Sequence, residues 1–181
     1  MSVFAPGNVT RLSVLFAILM TYSITAYQRN AVWLDEAALW KNVLVQAPGK
    51  WRALYPIGLH YLHTGQYQQA IPYLSQAVDH QLFHIPIYWD LISAYRNVGD
   101  TDQVIATYQK ALAALTVLDE PTAIHKYYLV RMHNELALVL YGNGDDAGAK
   151  KEAEETLAID PSNEEARGMI LRIVQSGKKH G

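Results

Sequence analysis

The chain opens with an uncharged run. Residues Leu12 to Gln28 lie between Arg11 and Arg29 and include Val14, Leu15, Phe16, Ala17, Ile18, Leu19, Met20 and Ile24. A helix over 12–28 would be about 25 Å long, against a hydrocarbon thickness of about 30 Å. The pattern therefore predicts a single transmembrane helix, with both arginines reaching headgroups and Tyr22 and Tyr27 at an interface. Two readings compete: a signal peptide cut after Ala26, and a buried amphipathic helix. Ser13, Thr21, Ser23 and Thr25 weaken the apolar signal. Residues 29–48 next read as an amphipathic helix, with Trp33, Trp40, Val43 and Leu44 on one side and Pro48-Gly49 as its stop.

From Trp51 onward the apolar pattern copies itself. Gly65 and Gly99 stand 34 residues apart, as do Gly58 and Ile92, Tyr61 and Tyr95, and Ala77 and Ala111. A period of that size signals stacked supersecondary units. Gly65, Gly99 and Gly144 are placed to end the first helix of each unit in a left-handed conformation. Asp100 and Asp145 follow where a side-chain oxygen caps the next helix.

This pattern resembles the tetratricopeptide (TPR) repeat, which implies an all-α solenoid of helix pairs. Unit one (51–84) supplies Leu54, Ile57, Gly58, Tyr61, Ala70, Leu74 and Ala77. Unit two (85–118) supplies Tyr88, Leu91, Ile92, Tyr95, Val104, Tyr108 and Ala111. Unit three (119–163) supplies Leu136, Ala137, Leu140, Ala149, Ala153 and the closing Asp160-Pro161. Gly144 follows Gly99 by 45 residues, so unit three carries an insertion. Its first helix is expected from about Pro121 to Tyr141, with an overhang bearing Lys126, Tyr127 and Tyr128. A capping helix over 164–175, an N-terminal tail at 1–11 and a polar tail at 176–181 complete the layout. Pro56 and Pro72 fall inside helical register, and a bend is expected at Pro56.

The junction carries a second resemblance. Arg29-Asn30, Trp33, Glu36, Leu39-Trp40, Pro48 and Arg52, between an apolar helix and TPRs, look like the corresponding stretch of membrane C-type glycosyltransferases with TPR tails, such as the cadherin O-mannosyltransferases. The resemblance implies repeats on the non-cytoplasmic side. Their catalytic part has no counterpart here, so no catalytic residue carries over.

Composition narrows the function. With 15 basic and 17 acidic side chains the net charge is −2, which disfavours a nucleic-acid binder. The absence of cysteine excludes disulfides, thiol catalysis and Cys-ligated metals. Phosphate-loop, nucleophile-elbow and His-Glu-x-x-His patterns are missing. His80 and His84 have i,i+4 spacing but sit where a helix should end, so a structural role is the leading reading. No cofactor, metal or small-molecule substrate is expected.

In a TPR stack the first helices line a concave groove. Here that selects Arg52, Tyr55, Leu59, Leu62 and His63 from unit one, and Pro86, Trp89, Ser93, Arg96 and Asn97 from unit two. Unit three adds Arg131, Asn134, Leu138, Tyr141 and Gly142. Tyr55 and Leu59 stand where chaperone-binding TPRs carry a carboxylate-clamping Lys and Asn, so a chaperone cofactor is disfavoured. The aromatic and aliphatic lining with three arginines suits a peptide or helix with apolar anchors and some acidic character. Lys126, Tyr127 and Tyr128 form a second candidate surface, and packing of these aromatics against neighbouring helices is the competing reading. The expected function is a non-enzymatic scaffold anchored in the cell inner membrane, binding a protein partner at the periplasmic (exoplasmic) face. The alternatives are an accessory subunit or remnant of a membrane glycosyltransferase, and a permanent subunit of a respiratory, photosynthetic or secretion complex.

Overall fold

The computed structural model describes residues 6–34, 36–47, 51–81, 84–117 and 122–177, and among these every regular element is helical. Helices α1 (Pro6–Leu34) and α2 (Glu36–Gln46) precede a short 3-10 turn, Trp51–Ala53. Three antiparallel hairpins follow. They pair α3 (Leu54–His63) with α4 (Tyr67–His80), α5 (Ile85–Val98) with α6 (Thr101–Thr116), and α7 (Ala123–Gly142) with α8 (Asp146–Ile159); α9 (Glu164–Gly177) closes the stack. Each helix packs chiefly on its neighbours in the chain, and α3 also meets α5 while α7 meets α9. That is solenoid packing, and it puts the first helix of every hairpin on one side.

The punctuation follows local chemistry. Gly65, Gly99 and Gly144 have φ of 74°, 79° and 83°, a region closed to most side chains. Asp100 accepts from the amide of Gln103 at 3.1 Å and Asp145 from that of Gly148 at 2.8 Å. Thr122 caps α7 in a reciprocal box with His125. Histidine in place of the usual Glu or Gln hid that box from pattern reading.

Small residues set the spacing. A Cβ on Gly58 would lie 2.7 Å from the Leu74 side chain, so α3 and α4 cross where only hydrogen fits. Ala70, Ala77, Ala111, Ala149 and Ala153 are all fully buried at similar crossings. One core runs through the hairpins, with Ile57, Leu74, Tyr88, Ile92, Tyr108 and Leu136 fully enclosed. A smaller cluster of Ala137, Ala153, Ala166 and Met169 fastens α9.

The transmembrane helix predicted over 12–28 is overturned: among the described residues no helix is long and apolar enough to cross a membrane. Helix α1 is long, so what it lacks is sustained apolar character. Hydroxyls interrupt the apolar run, and those of Thr21 and Thr25 bond back to the carbonyls of Ala17 and Tyr22 at 2.7 and 2.9 Å. The anchor on which the junction resemblance built its topology is therefore removed. The chain is helical through Leu34, so no separate helix begins at 29, and α2 starts at Glu36. Trp40 and Leu44 of α2 pack on the core of the repeats, and the Lys41 ammonium donates to the Tyr61 hydroxyl.

The bend expected at Pro56 is also corrected. Helix α3 starts at Leu54, so Pro56 lies in the first turn, where an amide has no intrahelical partner to lose. Pro72, by contrast, does stand inside α4, on an exposed flank. Helix α7 begins at Ala123, just after the predicted start, and α9 extends to Gly177. The signals read from Pro48-Gly49 and Pro121, the side chain of Trp33, and the end of the C-terminal tail lie outside the described residues.

Gly58→Ala is expected to cost about 1–3 kcal/mol, the range for overpacking a close contact. Urea denaturation measures it, and an unchanged midpoint would show that α3 and α4 cross more loosely.

Candidate functional site

The concave side is built from α3, α5, α7 and α9. Trp89 of α5 forms its floor. The indole meets the Tyr108 ring edge-on, centroids 5.7 Å apart, and the Arg131 guanidinium lies 4.7 Å above it. The indole Nε1 is buried with no hydrogen-bond partner among the described residues. Arg131 also approaches the Tyr127 hydroxyl, at 3.4 Å.

Most of the groove's polar groups are committed to one another. Arg96 donates to Glu135 at 3.1 Å and to the Tyr108 hydroxyl at 3.0 Å, tying α5 and α6 to α7. Tyr55 donates to Asp90 at 2.7 Å, tying α3 to α5. Loss of water raises the Asp90 carboxyl above its usual range, opposed by the Tyr55 bond and by His63 and His84. Loss of water also raises the Tyr55 hydroxyl, and the Asp90 bond adds to the rise. The buried Asn134 amide donates to Asn163 at 3.2 Å and Glu165 at 3.0 Å, holding the start of α9 against α7.

Three adjoining hollows open on this side, and Leu138 lines each of them. A hollow of about 520 Å³ lies between Tyr127, Arg131, Glu135, Glu164 and Glu165. One of about 210 Å³ runs past Ala137, Met169 and Arg172, and one of about 260 Å³ opens between Arg96, Val104 and Val139. Leu138 is 49% exposed, and with Tyr127 at 56% it is one of two large hydrophobic side chains lining these hollows that are left open.

The predicted groove residues thus divide. Arg96, Arg131, Asn134 and Trp89 come together around the α5–α7–α9 crevice. Arg52, Tyr55, Leu59 and Leu62 lie toward the other end of the stack; Tyr55 and Leu62 pack on the core, and Arg52 is exposed. Ser93 is half-buried, and Tyr141 packs on both apolar clusters. Of the second candidate surface, Lys126 and Tyr127 are exposed, whereas Tyr128 packs on the core. The three arginines suggested an acidic partner. That inference is weakened here, because Arg96 is already paired and Arg131 is stacked. Glu164, Glu165, Met169 and Arg172 of α9 were missed; the 34-residue step from Arg131 and Leu138 lands on Glu165 and Arg172 and could have found two of them.

Comparison with known proteins agrees with this architecture. Two models described as tetratricopeptide repeat match residues 52–79 and 91–121. The BBSome complex member BBS4 of Xenopus tropicalis is 31% identical over 115 residues, covering 64% of this chain and 20% of that protein. The chain therefore spans about a fifth of that relative's length. Among solved structures, the first TPR of Spaghetti (RPAP3) bound to an HSP90 peptide superposes with a TM-score of 0.50 at 20% identity, over 70% of this chain and 92% of that one. MamA from Desulfovibrio magneticus gives 0.51 at 21% identity, over 79% and 71%. These structural likenesses establish the fold. The chain contains tetratricopeptide repeats in an all-α solenoid, an architecture that serves protein–protein interaction.

Burial and the nearby Glu135 push the Tyr108 hydroxyl up to about 12, against a pull from Arg96. An unfolded tyrosine titrates near 10. The contribution of Tyr108 to stability is thus whole below about pH 10 and is lost as pH rises toward about 12. Tyr108→Phe is expected to flatten that decline in denaturation curves recorded across the range. An unchanged slope would place the hydroxyl in water.

Proposed function

We propose that the chain is a non-catalytic adaptor that holds a segment of a partner protein in the crevice formed by α5, α7 and α9. The observation that carries this is Leu138, an apolar side chain left open at the meeting point of three hollows inside a polar rim. An exposed apolar residue in a concave, polar-edged site marks binding. A binding role rather than chemistry is supported by how the titratable groups are used. Asp90, Glu135 and Arg96 hold helices together and have few free valences for a reacting atom.

The binding site is pre-organised. Asn134 fixes α9, Arg131 caps the Trp89 ring, and Arg96 joins α5 to α7, so a partner meets a formed surface. Less ordering on binding leaves more of the contact energy as affinity.

A photo-crosslinking side chain at position 138 is expected to capture a partner in the source cells, whereas one at Gln109 on α6 should not. Leu138→Glu should reduce affinity for the captured partner at least tenfold with an unchanged melting temperature. Equal capture from both positions would move binding away from the crevice.

A further inference from the structure

We propose that the crevice between α7 and α9 receives an α-helix of a partner protein with a defined order of side chains. A lysine or arginine of that helix meets Glu164 and Glu165, an apolar side chain one turn on meets Leu138 and Met169, and an aspartate or glutamate a further turn on meets Arg172. This rests on the adaptor reading and adds the partner's chemistry to it.

The first argument is charge. Arg96 is neutralised by Glu135 at 3.1 Å, and Arg131 is held over the Trp89 ring. Glu164 and Glu165 stand exposed at one end of the crevice, and Arg172 stands exposed at the other. Among the described residues, no ion pair engages Glu164, Glu165 or Arg172. The two glutamates outnumber Arg131 at their end, so the crevice is acidic there and basic at the far end.

The second argument is spacing. Arg131, Asn134 and Leu138 step by 34 residues onto Glu165, Gly168 and Arg172, so α9 presents the inner face of a further repeat's first helix. Seven residues separate Glu165 from Arg172, a rise of about 10 Å, or two helical turns. A helix laid along α9 climbs at the same rate. Its residues i and i+7 then face the two charged ends, and residue i+4 or i+3 faces Leu138 and Met169.

The third argument is Gly168. It lies in the middle of α9, where glycine is unfavourable relative to alanine. A Cβ there would meet nothing within 4 Å, so packing within the chain does not require its absence. By helical spacing it shares the edge of α9 that carries Glu165 and Arg172. Glycine in that place lets another backbone approach closely. A second helix exploits that, whereas a single long side chain would not need it.

The test is selection from a displayed library of helix-forming peptides against the whole chain, repeated on three variants checked by thermal melting. Peptides enriched on the wild type and lost on Leu138→Glu are expected to carry the basic, apolar, acidic order at i, i+3/i+4 and i+7. Gly168→Leu should melt no lower than the wild type yet bind those peptides at least tenfold more weakly. Glu164→Lys combined with Arg172→Glu should lower affinity for the original charge order at least tenfold and favour peptides with it reversed. Crevice-dependent peptides without that order, or with acidic residues throughout, overturn this inference and leave the adaptor reading standing. Enrichment indifferent to Leu138→Glu overturns both.

Discussion

The close crossing of helices at residues without side-chain bulk is the constraint on which the remaining structure depends. Gly58 against Leu74 is the tightest instance, and Ala70, Ala77, Ala111 and Ala153 repeat the device along the stack. Close approach makes each hairpin a wedge of fixed shape. Stacked wedges share one continuous core, because no single hairpin can enclose its own apolar face. The same stacking sets α3 against α5 and α7 against α9, and side chains join α5 to α7, which creates the concave surface.

On that surface the fold spends most of its charge on itself. The Tyr55–Asp90 bond links units one and two, and Arg96–Glu135 links units two and three. Each crosses a seam where helices also meet through apolar contact, which fixes their relative rotation. What those links do not consume is the open Leu138 and the exposed charges of α9. These open groups lie near the C-terminal end of the described stack, where α7 is longer than the other first helices.

Much of the fold was legible residue by residue. The glycines with positive φ, the Asp100 and Asp145 caps, the extended α7 and the closing α9 all follow from short-range rules. Two readings failed for physical reasons. The N-terminal run was judged by its lack of charge, yet its hydroxyls dilute the apolar pattern, and no described helix is long and apolar enough to cross a membrane. Pro56 was placed by repeat register, yet α3 starts three residues later than that register implied, so the ring costs no hydrogen bond. Which groove arginines already hold a partner was not legible, because nothing local shows it; Glu135 lies 39 residues from Arg96 and reaches it only when two units stack.

By itself, then, the sequence determined the number of hairpins, their period and their punctuation, because these depend on helical spacing and on what glycine, aspartate and alanine do to their immediate neighbours. Only the tertiary structure decided which groove residues are spent and which are open. The packing of α7 against α5 positions Arg131 over Trp89, while Leu138 stays uncovered. Contacts between side chains more than thirty residues apart depend on rotation and offset between packed helices, and no local pattern encodes those two quantities.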